Sequence, residues 1–146
     1  MNKNEIFTEK ATRGYTVCFS TSCPQHEHCL RWNVGQLIPH DIKDCQCVNP
    51  HHDNVATEPC PMFRSAEKVL WARGMTHILT DNMPRRVDST VRAELIKRLN
   101  RTYFFEYRNG TRLISPAMQE EIRTLYQQAG WTGDIQFDEY FEDYDW

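Results

Sequence analysis

The chain has 146 residues, 25% of them charged and 40% hydrophobic, with a formal net charge of −3. This length suits one domain, or one core carrying a smaller metal-stapled lobe, and is ample for a real hydrophobic core, so covalent cross-links are not obligatory. No apolar run approaches the roughly 18 residues that span a bilayer, and residues 1–10 are polar without the apolar stretch of a secretory leader, so we expect a soluble cytoplasmic protein that does not enter a membrane.

Charge is unevenly placed along the chain. Residues 1–64 hold six Lys and Arg against seven Asp and Glu, residues 65–112 hold ten against five, and residues 113–146 hold one against eight. A basic centre can follow a phosphate backbone, and an acidic end can cover that centre or repel nucleic acid. Two solvated faces would show the same pattern.

All six cysteines and five of the six histidines fall between residues 18 and 60. That segment has no sustained period of two or of 3.6 and is broken by Pro24, Gly35, Pro39, Pro50 and Pro59, which predicts irregular loops. Only residues 30–38 carry enough apolar side chains for a short helical or extended element. A long structureless run inside a compact domain needs an organiser, and a bound metal is an economical one.

Regular grammar begins after Cys60. Ser65 is placed to cap a short helix over residues 66–73, with Gly74 past its end. An element around residues 76–81 is cut off before Pro84. Over residues 88–100, Val91, Leu95 and Leu99 recur every four positions with Ile96 beside them, the single apolar stripe of an amphipathic helix. Residues 102–114 are rich in strand formers around Asn109-Gly110, which predicts a β-hairpin with a type I′ turn. Ser115-Pro116 opens a further helix as cap and first residue; Met118, Ile122, Leu125 and Ala129 form its inward stripe and Gly130 ends it. The last stretch, 131–146, alternates aromatics with carboxylates and can bury area that a solvated tail lacks. The expected fold class is therefore α+β, with an irregular cysteine-rich lobe over 15–64 and a helix–hairpin–helix lobe over 65–146.

The residues Cys23-Pro24, Cys29-Leu30-Arg31, Val48-Asn49-Pro50, Cys60-Pro61-Met62-Phe63, Arg92-Ala93-Glu94-Leu95, Tyr103, Ser115-Pro116, Gln119 and Ile122 together carry a resemblance over most of 15–140. On them the chain resembles an uncharacterised family of small cysteine-containing proteins, of unknown function, from gut anaerobic bacteria. The resemblance implies that Cys18, Cys23, Cys29 and Cys60 are the family's expected cysteines and that Cys45 and Cys47 depart from its pattern. It implies no activity.

In a reducing compartment, six cysteines are metal ligands, redox groups or buried thiols before they are disulfides. Zinc takes four tetrahedral thiolate or imidazole ligands, a count that Cys18, Cys23, Cys29 and Cys60 meet. His26 and His28 flank Cys29 closely enough to replace a thiolate, and Cys45 and Cys47 are further candidate ligands. No Cys-x2-Cys knuckle is present. The same four thiols suit an iron–sulfur cluster, with Cys23-Pro24 and Cys60-Pro61 similar to the end of a ferredoxin motif, and ordinary unligated thiols remain a third alternative.

No phosphate-binding loop, dinucleotide fingerprint or nucleophile elbow occurs, which disfavours an enzyme without excluding one. Nucleic-acid binding would rest on Arg85, Arg86, Arg92, Lys97, Arg98 and Arg101, with Arg108 and Arg112 beyond them. The sequence thus favours a metal-stabilised adaptor, with zinc as its expected metal and an unidentified protein partner. The alternatives are an iron–sulfur redox or sensor protein and a nucleic-acid-binding regulator using residues 85–112.

Overall fold

A computed structural model describes all residues 1–146 and divides them into two units, Met1–Lys68 with Tyr144–Trp146, and Val69–Asp143. Each unit has its own apolar core. Helices combine with one small antiparallel sheet, an α+β architecture.

The first unit opens with α1 (Lys3–Thr12). Asn2 and Glu5 form a reciprocal capping box, the Asn2 side chain accepting the Glu5 N–H at 3.0 Å and the Glu5 carboxylate accepting the Asn2 N–H at 2.7 Å. Its inward residues Phe7 and Ala11 pack with Val17, Leu30, Val34 and Tyr144. Phe7 meets the rings of Tyr144 and Trp146 edge-on at 4.9 and 5.8 Å, so the aromatic chain end is part of this core. Between residues 18 and 60 the only helical pieces are a 3-10 turn at His26–His28 and α2 (Leu30–Gly35). The expected irregularity of this stretch holds, and its short apolar element is helical.

The second unit begins with β1 (Val69–Arg73), which pairs antiparallel with β2 (Glu139–Asp143) in the register Trp71 opposite Phe141. The helix expected over 66–73 is therefore not formed. Val69 and Trp71 are strand formers, and a partner strand 70 residues away satisfies the backbone of this segment where a local cap could not. Ala72 also exchanges both backbone hydrogen bonds with Ile114, at 3.0 and 2.8 Å. No regular element forms over 76–81.

The amphipathic helix is present as α3 (Arg85–Leu99), with Val91 and Leu95 buried and Ile96 and Leu99 packed at the edge of the core. The expected β-hairpin is wrong: residues Arg101–Asn109 form α4. Asn100, at φ 73°, breaks the chain after α3, and its side chain accepts the Tyr103 N–H at 2.9 Å to cap α4. Gly110, at φ 81°, closes the helix in the left-handed conformation. Asn109 stays helical, whereas a type I′ turn needs positive φ at both central residues. The aromatics then serve a helix: Phe104 is buried, Phe105 lies at the margin of the core, and Tyr103 and Tyr107, four apart, flank the Arg112 guanidinium.

Helix α5 (Pro116–Gln128) starts as its sequence predicts, with the Ser115 hydroxyl accepting the Met118 N–H at 3.2 Å. Ile122 and Leu125 are buried, with Met118 and Ala129 beside them. No helix is long and apolar enough to cross a membrane.

Candidate thiol site

Cys18, Cys23, Cys29 and Cys60 arrive from separate loop segments and line one cavity of about 20 Å³ in the first unit. Helix α2 brings them together. Cys29 precedes its first residue, and the Cys29 segment pairs with Ser65 just past Cys60, Leu30 N–H donating to Arg64 O at 2.6 Å and Ala66 N–H to His28 O at 2.9 Å. Arg31, on the first turn of α2, donates to Thr16 O at 2.9 Å and Met62 O at 2.8 Å, and its carbonyl accepts the Cys18 N–H at 3.0 Å. One side chain thus ties the loop segment before Cys18 to the one after Cys60. Gly35 permits the close approach, since a Cβ there would lie 2.8 Å from the Cys18 carbonyl oxygen.

Burial grades the thiols. Cys23 and Cys29 are buried, Cys18 and Cys60 are half-buried, and Cys45 and Cys47 are exposed; all six are unpaired, without disulfides. Burial pushes the Cys18 thiol up, a backbone hydrogen bond from Ser20 pulls it back in part, and the neighbouring Cys29, Cys23 and Cys60 sulfurs push it up further. A cation placed among these sulfurs would reverse that balance by favouring their anionic forms. As placed, no three His, Cys, Asp or Glu side chains stand in a metal-ligating arrangement, so the thiols surround the space without closing on one point.

The fit to a metal ion can be judged from the donors and the space. Four thiols are the donor set that a structural zinc ion or an iron–sulfur cluster would take. Val48, Val55, Met62 and Phe63 supply the apolar part of its wall. His26 also lines it, with Nδ1 2.7 Å from the Cys23 carbonyl oxygen and its ring 4.5 Å from that of Trp32. When Nδ1 carries the proton it donates to that carbonyl and leaves Nε2 as the acceptor, the arrangement found behind ligating histidines. Trp32 lines the same cavity, and its Nε1 is a buried donor with no partner, a group that an anionic sulfur would satisfy.

Other candidate ligands lie apart from this cavity. His28 is exposed and does not line it. Cys47 pairs through its backbone with Val17, and Cys45 lines neither this cavity nor the neighbouring cleft. The sequence reading missed Arg31, Trp32 and Gly35. Their proximity to Cys29 was the available signal, but an arginine that serves two carbonyls is visible only once the strands are placed.

The basic residues of the second unit are largely engaged. Arg98 bonds Glu94 at 2.9 Å and Glu121 at 3.0 Å, and Arg112 bonds Glu106 at 2.8 Å. Arg92 lies over the rings of Phe104 and Phe105, and Arg101 lies over Phe105. Arg85 and Arg86 at the start of α3 and Lys97 near its end are exposed. Arg108, expected on a hairpin, lies on α4, and Arg112 follows it.

Fold and cavity define a small α+β protein in which four cysteines line one cavity of the first unit. The chain belongs to a family of unknown function, DUF6078, which it matches over residues 1–146. No curated protein and no solved structure shows significant similarity to it.

Proposed function

We propose that this is a metal-stabilised binding protein whose first unit holds one zinc-like ion through Cys18, Cys23, Cys29 and Cys60, and which acts as an adaptor in a reducing compartment. The observation that carries the reading is the gathering of four thiols from separate loop segments on one cavity. Binding would draw the sulfurs inward, and His26 on the same wall is the residue placed to replace one of them. The ion would cross-link loops that have little regular structure of their own, so its binding energy adds to the stability of the fold. Four protein ligands leave no open position for water, which makes the site a staple and leaves recognition to the protein surface.

Two features favour an adaptor over a nucleic-acid binder. Arg98 and Arg112 are already paired with carboxylates, and the neighbouring acidic side chains oppose a phosphate backbone.

The test is elemental analysis and absorption spectroscopy of protein purified without oxygen, followed by cobalt substitution. One zinc per chain, and a cobalt form with strong sulfur-to-metal charge-transfer bands, are expected. Stoichiometric iron and sulfide would establish a cluster instead. Protein that takes up neither zinc nor cobalt through its thiols would overturn the reading.

A further inference from the structure

The second unit has a pocket of its own, which contains none of the cysteines. Its polar wall comes from three helices: Asp88 and Arg92 on α3, Arg108 on α4 and Tyr126 on α5, with Leu95 and Phe104 on the apolar side. Leu95, Phe104 and Tyr126 are core residues exposed by 5% or less, so the helices that carry the charged groups are fixed by packing.

The charges in this pocket are not balanced. Arg98 and Arg112, on the same two-helix stretch, each meet a glutamate at 3.0 Å or less. Arg92 and Arg108 enter none of the ion pairs of the chain. Asp88 shares the pocket with both, yet its bond is to Tyr126, whose hydroxyl donates to Oδ1 at 2.7 Å. Two guanidinium groups therefore face one carboxylate.

The position of each arginine is defined. Arg92 lies over the rings of Phe104 and Phe105, 5.6 and 5.4 Å from their centres, which holds its guanidinium beside the pocket wall. Arg108 is half-buried. Burial and then Asp88 push the Tyr126 phenol up and the Arg108 charge pulls it back, so this guanidinium lies near the hydroxyl that lines the pocket. A guanidinium drawn partly out of water has donors only, and leaving it without an anion is costly.

We propose that this pocket binds a small organic carboxylate, its oxygens shared between the guanidinium groups of Arg92 and Arg108. The planar fork of N–H donors on each arginine matches a carboxylate in shape and charge. Asp88 sets the selectivity. One negative charge neutralises the pocket, whereas the further charge of a phosphate would be set against the Asp88 carboxylate. Tyr126 fixes where that opposing charge sits by anchoring Asp88 across α3 and α5. The site is independent of the metal reading of the first unit.

The experiment titrates the isotope-labelled full-length chain by NMR with sodium acetate, with acetamide and with inorganic phosphate, at neutral pH and constant ionic strength. Acetate should bind saturably and shift the amide signals of α3 and α4 around Arg92 and Arg108. Acetamide, which has the same shape without the charge, should bind about tenfold or more weakly, and phosphate should also bind more weakly than acetate. Arg108→Gln should weaken acetate by about tenfold or more, while Arg98→Gln, which removes an arginine already paired with Glu94 and Glu121, should leave it unchanged. Absence of saturable acetate binding would overturn the proposal, as would acetamide or phosphate binding as tightly as acetate, or a folded Arg108→Gln chain that binds acetate like the wild type. The comparison of acetate with acetamide uses the unaltered chain, so it decides the outcome even where Arg108→Gln does not fold.

Discussion

The side-chain amide of Gln119 on α5 donates to the Leu70 carbonyl of β1 at 2.8 Å and, through the same nitrogen, to the Ile114 carbonyl at 3.1 Å. Gln119 is only 3% exposed, the one buried polar residue of the chain. It fastens α5 to two separate backbone segments of the second unit. Gln119→Leu keeps the apolar bulk but removes both donors, so it should cost about 1–3 kcal/mol, read as a lower denaturant midpoint with unchanged slope.

The ends of α4 offer a second measurement. Asn100 combines positive φ with a side-chain cap, and each contribution can be removed separately. Asn100→Gly loses the cap but keeps the conformational freedom, and should cost a few tenths of a kcal/mol. Asn100→Ala loses the cap and also strains the backbone, and should cost about 2 kcal/mol. Thermal unfolding that ranks alanine no worse than glycine would contradict this account of the helix start.

Tyr126 on α5 donates its hydroxyl to Asp88 Oδ1 on α3 at 2.7 Å. Burial pushes the phenol far above its ordinary value of 10.0, and the hydrogen bond and negative charge of Asp88 push it the same way. The unfolded chain therefore releases this proton first. Its contribution to stability is complete below pH 10 and is lost as pH rises above it. Tyr126→Phe should destabilise the protein by about 1–2 kcal/mol at neutral pH and flatten the alkaline limb of the stability curve.

Asp138 caps the turn after β1, accepting the Thr76 hydroxyl at 2.7 Å and the Thr76 and His77 N–H groups at 2.9 and 3.1 Å. Burial alone would raise its carboxyl, but these bonds, with that of the His77 ring, hold it below its ordinary value of 3.8. Gly74 leaves the carboxylate its place, since a Cβ there would come 2.9 Å from Asp138 Cγ. The stabilisation is present above the unfolded value and disappears as pH falls through the lower folded one. Asp138→Ala should cost about 1.5–3 kcal/mol at pH 7, and the difference from wild type should shrink below about pH 4.

Metal loading should divide the six cysteines into two classes. With zinc bound, iodoacetamide should modify Cys45 and Cys47, the two exposed thiols, well before the other four. After chelation and unfolding all six should react. Mass mapping of the adducts checks both the ligand set and the exclusion of Cys45.

The fold was legible where the signal is local. The Val91, Leu95 and Leu99 stripe and the Ser115-Pro116 start specify α3 and α5 without distant partners, because caps and helix periodicity act within a few residues. The run Thr102-Tyr103-Phe104-Phe105 was misread for the complementary reason. Aromatics favour a strand by local propensity, which the Asn100 cap, the single left-handed Gly110 and the burial of Phe104 against the second core override. Residues 69–73 became a strand only because 139–143 supply its partner, a relationship no local window contains.

The sequence by itself determined the inventory of chemistry: four separated thiols confined with two more to one irregular segment, and an aromatic chain end able to bury itself. Tertiary structure decided which of them meet. Arg31 bridging Thr16 and Met62, and Gly35 admitting the Cys18 backbone, gather Cys18, Cys23, Cys29 and Cys60 on one cavity and leave Cys45 and Cys47 outside it. The physical reason is that sequence spacing limits how far two loop residues can be apart but not whether they approach. Approach depends on backbone hydrogen bonds and on room for atoms that lie far away in the chain.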